Sequence, residues 1–167
     1  MLLDDALRAT GLVASAPPGP VVDVGSGGGS PGLPLAVACP DREFVLLDAQ
    51  RRRCDFLRRV SASLPNVEVV WGRAESQSTD TFATTLAKAL ARPPVAAELC
   101  LPLVRPSGLA VLWTGDESDA GAVATAAAHV GGEVESAVDG LLVLRKVRPT
   151  PEGFPRRPGM AKKRPLA

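Results

Sequence analysis

At 167 residues, 46% of them hydrophobic and 22% charged, the chain is sized and composed for one globular domain with a substantial core, which excludes a wholly disordered protein. No apolar run reaches membrane-spanning length, and the start MLLDDALRAT lacks the basic head and long apolar middle of a secretory leader, so a cytoplasmic protein with no membrane partner is expected. The formal net charge of +1 hides an asymmetry: from Arg145 onward eight Lys/Arg face Glu152 alone, a local +7 that leaves −6 on the first 144 residues. Such a split predicts an acidic partner for the tail, with nucleic acid the first candidate. Cys39, Cys54 and Cys100 show no C-x-x-C spacing and read as buried thiols in a reducing compartment; no metal site is expected.

Met1 to Thr10 is predicted helical, with Leu2, Leu3, Ala6 and Leu7 near one face, and ASAPPGP breaks the chain before the first strand. Val21 to Ala36 reads VVDVGSGGGSPGLPLA: a short buried strand, an abrupt loss of side chains, then a helix start with Ser30 as expected N-cap and Pro31 at the first helical position. Strand, glycine loop and helix N-terminus together form the nucleotide-binding corner of an open α/β sheet. A dinucleotide fingerprint counted from Gly25 fails at Ser30, and reframing it on Gly27, Gly29 and Gly32 starts the motif two residues late. An acidic-x-Gly-x-Gly-x-Gly pattern is met at Asp23, Gly25, Gly27 and Gly29, and in this it resembles the first motif of S-adenosylmethionine-dependent methyltransferases.

Glu43 to Asp48 is the predicted second strand. Its closing carboxylate lies twenty-three residues past Gly25, where it can accept both ribose hydroxyls of an adenosine or cap the next helix. Gln50 to Leu64 is an amphipathic helix with Cys54, Leu57, Val60 and Leu64 toward the sheet and Arg51, Arg52, Asp55, Arg58 and Arg59 outward. Arg51 to Arg53, beside the expected cofactor edge, are the candidates for phosphate contact. Val67 to Trp71 is a third strand, and the following GRAES would bring Ala74 to an adenine as a flat contact, with Glu75 orienting the loop. Thr81 to Ala87 is a fourth strand whose C-terminal end delivers Lys88 to the ligand crevice. A helix over Pro94 to Val104, a strand over Gly108 to Trp113 and a helix over Asp116 to Val130 follow, the last holding the lone histidine, His129, which reads as a helix-end residue. Two strands, Glu133 to Val138 and Leu141 to Val147, join at Asp139-Gly140, a strong hairpin signal. Five βα units closing on a hairpin predict a mostly parallel, Rossmann-like α/β sheet with one antiparallel strand inserted at the end.

With these stretches in place the chain resembles the bacterial small-subunit rRNA guanine-N7 methyltransferases of the glucose-inhibited division protein B family. DVGSGGGSPGLPLA resembles the family's glycine motif, LLDAQRRRCDFL its second-strand and helix motif, and GRAES its adenine loop. AKALARPP resembles the motif after the fourth strand, and FPRRPGMAKKRPL the basic tail. The resemblance implies a class I methyltransferase fold using S-adenosylmethionine, with a guanine in 16S rRNA of the small ribosomal subunit as target; a monomer is the expected state, though the sequence does not give it. It implies cofactor contacts at Asp23, Gly25, Gly27, Gly29, Asp48, Ala74 and Glu75. Substrate positioning would fall to Lys88, Arg51, Arg156 and Arg157. No catalytic acid or base is expected, because nitrogen 7 of guanine carries no proton to remove.

Three departures accompany the likeness. Only about twenty residues precede Val21, where the family carries a further helical segment, so the chain reads as N-terminally short. Lys88 stands where the family has an arginine, without the planar fork of a guanidinium, and Ala83 stands where an acidic residue is usual. They leave an alternative: a catalytically impaired cofactor- or RNA-binding relative acting in ribosome assembly. The expected organisation is an N-terminal helix and linker over 1–19, a methyltransferase domain over 20–148, and a basic, proline-containing tail over 149–167. That tail is too proline-rich to pack as a core element and is expected to serve as an RNA phosphate arm.

Overall fold

A computed structural model describes residues 2–115 and 119–167; the first positions of the helix expected over 116–130, Asp116, Glu117 and Ser118, lie outside the described residues. The alternating apolar runs form strands β1 (Val21–Val24), β2 (Phe44–Asp48), β3 (Val67–Trp71), β4 (Phe82–Lys88), β5 (Val104–Trp113), β6 (Gly132–Val138) and β7 (Leu141–Lys146). They make one seven-stranded sheet in the order β3-β2-β1-β4-β5-β7-β6. The first five strands run parallel, and β7 inserts antiparallel between β5 and β6, as the hairpin signal predicts. Strand order reverses between β1 and β4, and in open α/β sheets ligands gather at the carboxyl ends of the strands flanking that point.

The period-2 alternation sorts each strand's residues between two layers. Val22, Val24, Ala87, Ala110, Leu112, Leu142 and Leu144 face α5 (Pro93–Cys100) and α6 (Ala120–His129). Val21, Phe44, Leu86, Val111 and Leu141 face the opposite layer, built by α2 (Thr10–Ser15) and α3 (Gly32–Ala38). On that side α4 (Arg51–Val60) buries Cys54 and Leu57 beside β2 and β3. All three cysteines are buried and free, and burial pushes the Cys100 thiol up to about 12, well away from a reactive thiolate.

Several local expectations give way to longer-range contacts. The single N-terminal helix is two: α1 (Leu2–Leu7) stops where the Thr10 hydroxyl donates to the Leu7 carbonyl at 2.7 Å, and α2 starts afresh at Thr10. Ser30 does not cap α3. Pro31 holds the cap position, and the amide N–H of Gly32 donates to Asp23 Oδ2 at 3.0 Å instead, so a strand residue supplies the missing acceptor. The helix expected to reach Val104 ends at Cys100 and tightens to a 3₁₀ turn over Leu101–Leu103, because Pro102 brings no N–H. β5 therefore begins at Val104, and its register with β4 slips between Phe82 and Thr84.

β1, β2 and α3 meet closely at Gly32: a Cβ there would lie 2.5 Å from Leu46 Cδ2 and 2.7 Å from Asp23 Oδ2. Gly32→Ala gains roughly 0.5–1 kcal/mol of helix propensity but overpacks a buried junction at a cost of about 1–3 kcal/mol. The clash wins, so the variant should show a lower urea midpoint at unchanged m-value.

Candidate active site

The loop after β1 turns back toward β2. Gly25 and Ser26 both donate their amides to the Leu47 carbonyl, at 2.8 and 3.1 Å. Gly25, Gly27 and Gly29, the three glycines of the sequence pattern, all have positive φ (75°, 56° and 99°), a region side chains disfavour. Gly28 differs: a Cβ there would meet nothing within 4 Å, so its bareness is not demanded by the protein's own packing and leaves the loop's outer face open.

Asp48, at the end of β2, is buried and joins the pieces of this corner. Its Oδ2 accepts the Gly27 amide at 2.9 Å and its Oδ1 accepts the Gln50 amide at 2.8 Å, while Arg53 Nη1 lies 3.6 Å from Oδ2. The carboxylate thus fastens the glycine loop to the start of α4. Each oxygen keeps acceptor capacity beyond these two bonds.

Asp23 lies beneath the loop, fully enclosed. Burial, aided by the negative charge of Asp48, raises its carboxyl from 3.8 to about 7 against the opposing pull of the Gly32 amide. It holds the N-terminus of α3 from below and lies outside the cavity walls.

Beside this corner a cavity of about 140 Å³ opens between the ends of β1, β2 and β3. Leu47, Gly72, Ala74, Glu75 and Leu90 line it, with Ala74 buried in the short 3₁₀ turn Ala74–Ser76. Leu90, from the loop after β4, lies against Gly25: a Cβ on that glycine would fall 2.6 Å from Leu90 Cδ1. The remaining wall comes from the C-terminal tail, where Gly159, Ala161 and Lys162 face the cavity.

The tail therefore packs, contrary to the expectation from its prolines. Ala161 of α7 (Met160–Lys163) is buried and Phe154 packs on the α5 layer. Glu75 accepts the Gly159 amide at 2.9 Å. Arg156 forms a fork on Glu98 of α5, with Nε and Nη2 each 2.6 Å from a carboxylate oxygen. Glu98 is only 4% exposed, so this contact neutralises a charge that the core could not otherwise hold. Lys146 is likewise withdrawn from the basic surface: it is fully buried, donating to the Leu101 carbonyl and the Thr150 hydroxyl and pairing with Asp80 at 3.0 Å.

The four expected substrate cations separate into two pairs. Lys88 is paired with Asp5 of α1, and Asp5 also pairs with Arg8. The Trp113 indole donates to the Asp5 carbonyl at 3.0 Å, so α1 is strapped across the ends of β4 and β5. Arg156 is held by Glu98, whereas Arg51 and Arg157 are exposed, Arg51 over the Trp71 ring at 5.6 Å. Asp5 and Leu90 carry no sequence signal for these contacts, which join residues far apart in the chain; the tail residues Gly159, Ala161 and Lys162 were legible only as a basic segment.

Sheet order and glycine corner together define the class I methyltransferase fold. An S-adenosylmethionine-dependent methyltransferase from Aquifex aeolicus superposes with a TM-score of 0.65 at 18% identity, covering 87% of this chain and 89% of that one. The antibiotic-resistance methyltransferase Kmr gives 0.61 at 19% identity, covering 85% and 91%. Residues 2–141 match the family model described as rRNA small subunit methyltransferase G, and the chain belongs to that family. Ribosomal RNA small subunit methyltransferase G of Moorella thermoacetica is 35% identical, the match covering 90% of this chain and 70% of the relative. The protein of the same name from Rubrobacter xylanophilus is 36% identical, with 99% and 69% covered.

Two consequences are measurable. Removing the Arg156 guanidinium strands Glu98, so Arg156→Ala should cost roughly 3 kcal/mol in urea unfolding, and Glu98→Gln placed in the same chain should recover part of it. Asp23 takes up a proton on folding between 3.8 and about 7, so its contribution is complete below the lower value and is lost as pH rises through the upper one. Unfolding midpoints measured across that interval should slope downward with pH in the wild type and less steeply in Asp23→Asn.

Proposed function

We propose that the chain is an S-adenosylmethionine-dependent methyltransferase that methylates nitrogen 7 of a guanine in 16S rRNA of the small ribosomal subunit, in the cytoplasm. The observation that carries this reading is the Asp48 carboxylate, bound to the Gly27 amide at the strand-order reversal of a chain that belongs to the rRNA small subunit methyltransferase G family. Among the described residues no helix is long and apolar enough to cross a membrane, in keeping with a partner in solution.

The residues suit the cofactor. Asp48 keeps acceptor capacity for two ribose hydroxyls after its bonds to Gly27 and Gln50. The cavity walled by Leu47, Ala74 and Leu90 offers an apolar slot for an adenine, with Glu75 setting that wall through its bond to Gly159. Gly25, Gly27 and Gly29 present bare backbone beside it, and Asp23 keeps that loop in shape from below. When bound, the donor supplies an electrophilic methyl group on a sulfonium. The protein's task is alignment, since the guanine nitrogen already exposes a lone pair on the major-groove edge of the base. No side chain is assigned to proton transfer, and none is needed.

Arg51 and Arg157 are free to approach RNA, whereas Lys88 and Arg156 act by holding α1 and the tail closed on either side of the crevice. On this reading residues 20–148 carry the chemistry, and 1–19 and 149–167 close it from two sides.

Titration calorimetry with the methyl donor and with its demethylated product should give heat for the wild type. Asp48→Ala should weaken binding roughly 10- to 100-fold, the value of hydrogen bonds to a charged acceptor. Tritiated methyl transfer to small ribosomal subunits that lack the modification should label 16S rRNA. Heat without label would favour the non-catalytic assembly relative, and neither heat nor label would overturn the enzyme reading.

A further inference from the structure

On the outer side of the glycine loop lies a second concavity, about 700 Å³, distinct from the cavity walled by Leu47, Ala74 and Leu90. Gly27 and Gly28 form its rim toward the active-site corner, and Arg52, Arg53, Phe56 and Arg59 of α4 form its other wall. Residues 52, 56 and 59 stand one and two helical turns apart, so they share a stripe of the helix. Phe56 presents its ring there at 40% exposure. The acidic member of the wall, Asp55, is turned to Arg58 at 3.1 Å, and Arg53 leans toward Asp48 at 3.6 Å, which leaves Arg52 and Arg59 as the cations flanking the ring.

Helix physics makes this arrangement costly. The first turn of α4 holds Arg51, Arg52 and Arg53 and no acidic residue, which sets positive side chains against the positive end of the helix dipole. Local rules broken in this way concentrate at functional surfaces. An anionic ligand reverses the sign of the cost. An aromatic ring between cations adds a platform for a flat partner, as proteins that take up single-stranded nucleic acid use. A second exposed ring, Trp71 at 56%, sits under Arg51 at the same end of the helix.

We propose that this groove binds single-stranded RNA adjoining the methylated base, with a base stacked on Phe56 and phosphates held by Arg52 and Arg59. The proposal rests on the rRNA methyltransferase reading above and adds to it where the substrate strand lies. The groove opens onto the glycine loop, so a strand seated in it continues toward the crevice at the ends of β1 and β4. The expected RNA path thus follows α4, while the tail forms a wall of the cofactor cavity.

Fluorescence anisotropy with a labelled single-stranded oligoribonucleotide of about a dozen residues, at several salt concentrations, tests it on the full chain. Phe56→Ala should weaken binding roughly tenfold with little change in salt dependence, since stacking carries no charge. Arg52→Gln with Arg59→Gln should weaken binding and reduce the log–log salt slope by about 1.4, the loss of two phosphate contacts on a single strand. Arg148→Gln, an exposed arginine beyond β7 that does not line the groove, should bind as the wild type. Heparin, an anion without bases, should respond to the arginine pair and be indifferent to Phe56→Ala. Unchanged RNA binding in both groove variants would overturn the proposal. So would equal loss of heparin and RNA in Phe56→Ala, or displacement of the RNA by phosphatidylserine vesicles at matched charge. Calorimetry keeps the two readings apart: groove variants should retain wild-type donor affinity, and a wild type that binds no donor undoes the enzyme reading without touching the anisotropy result.

Discussion

The corner at the end of β2 depends on one buried carboxylate. Asp48 satisfies the amides of Gly27 and Gln50 at once, and so it decides how the glycine loop sits relative to α4. A glycine-rich loop pays the largest conformational entropy on ordering, and hydrogen bonds to a charged acceptor are among the stronger offsets available. Gly25 and Ser26 complete the attachment by sharing the Leu47 carbonyl. Loop, strand end and helix start are therefore one unit, and the cavity beside them inherits its shape from that unit.

Two ion pairs close this unit from opposite sides. Asp5 with Lys88 brings α1 over the ends of β4 and β5, and Glu98 with Arg156 brings the tail over α5 and the cavity. In each case one partner is well shielded, so the pair offsets a desolvation cost and specifies position more than it adds net stability. Cations that composition alone assigns to nucleic acid are thereby spent inside the protein. Lys146, buried against Asp80 and Thr150, is the extreme case. Exposed positive charge remains on α4 and along the tail, at Arg157, Lys163 and Arg164 among other positions.

These placements change how the basic tail is understood. Its prolines restrict the chain before folding, so that ordering it costs less entropy, and a few specific contacts suffice to dock it. Ala161, Phe154 and the Arg156 fork supply them. A segment with the composition of a solvated arm becomes part of the wall of the cavity at the strand ends because one buried glutamate on α5 requires a partner.

Much of the architecture was legible in the chain itself. β3 begins and ends where the apolar run does, and the Asp139-Gly140 turn marks the β6–β7 hairpin directly. The glycine spacing, the carboxylate closing the second strand and the GRAES loop located the corner, because strand period, turn chemistry and loop composition are properties of short windows. What tertiary structure alone decided is every contact made across the sheet or between distant segments. Asp23 takes the capping role that local pattern gave to Ser30; Asp5 meets Lys88; Leu90 covers Gly25; Glu98 captures the tail. A local window states which groups need partners. Which distant group answers depends on where folding brings the chain, and for a buried charge or an unpaired amide that answer is set by proximity and desolvation.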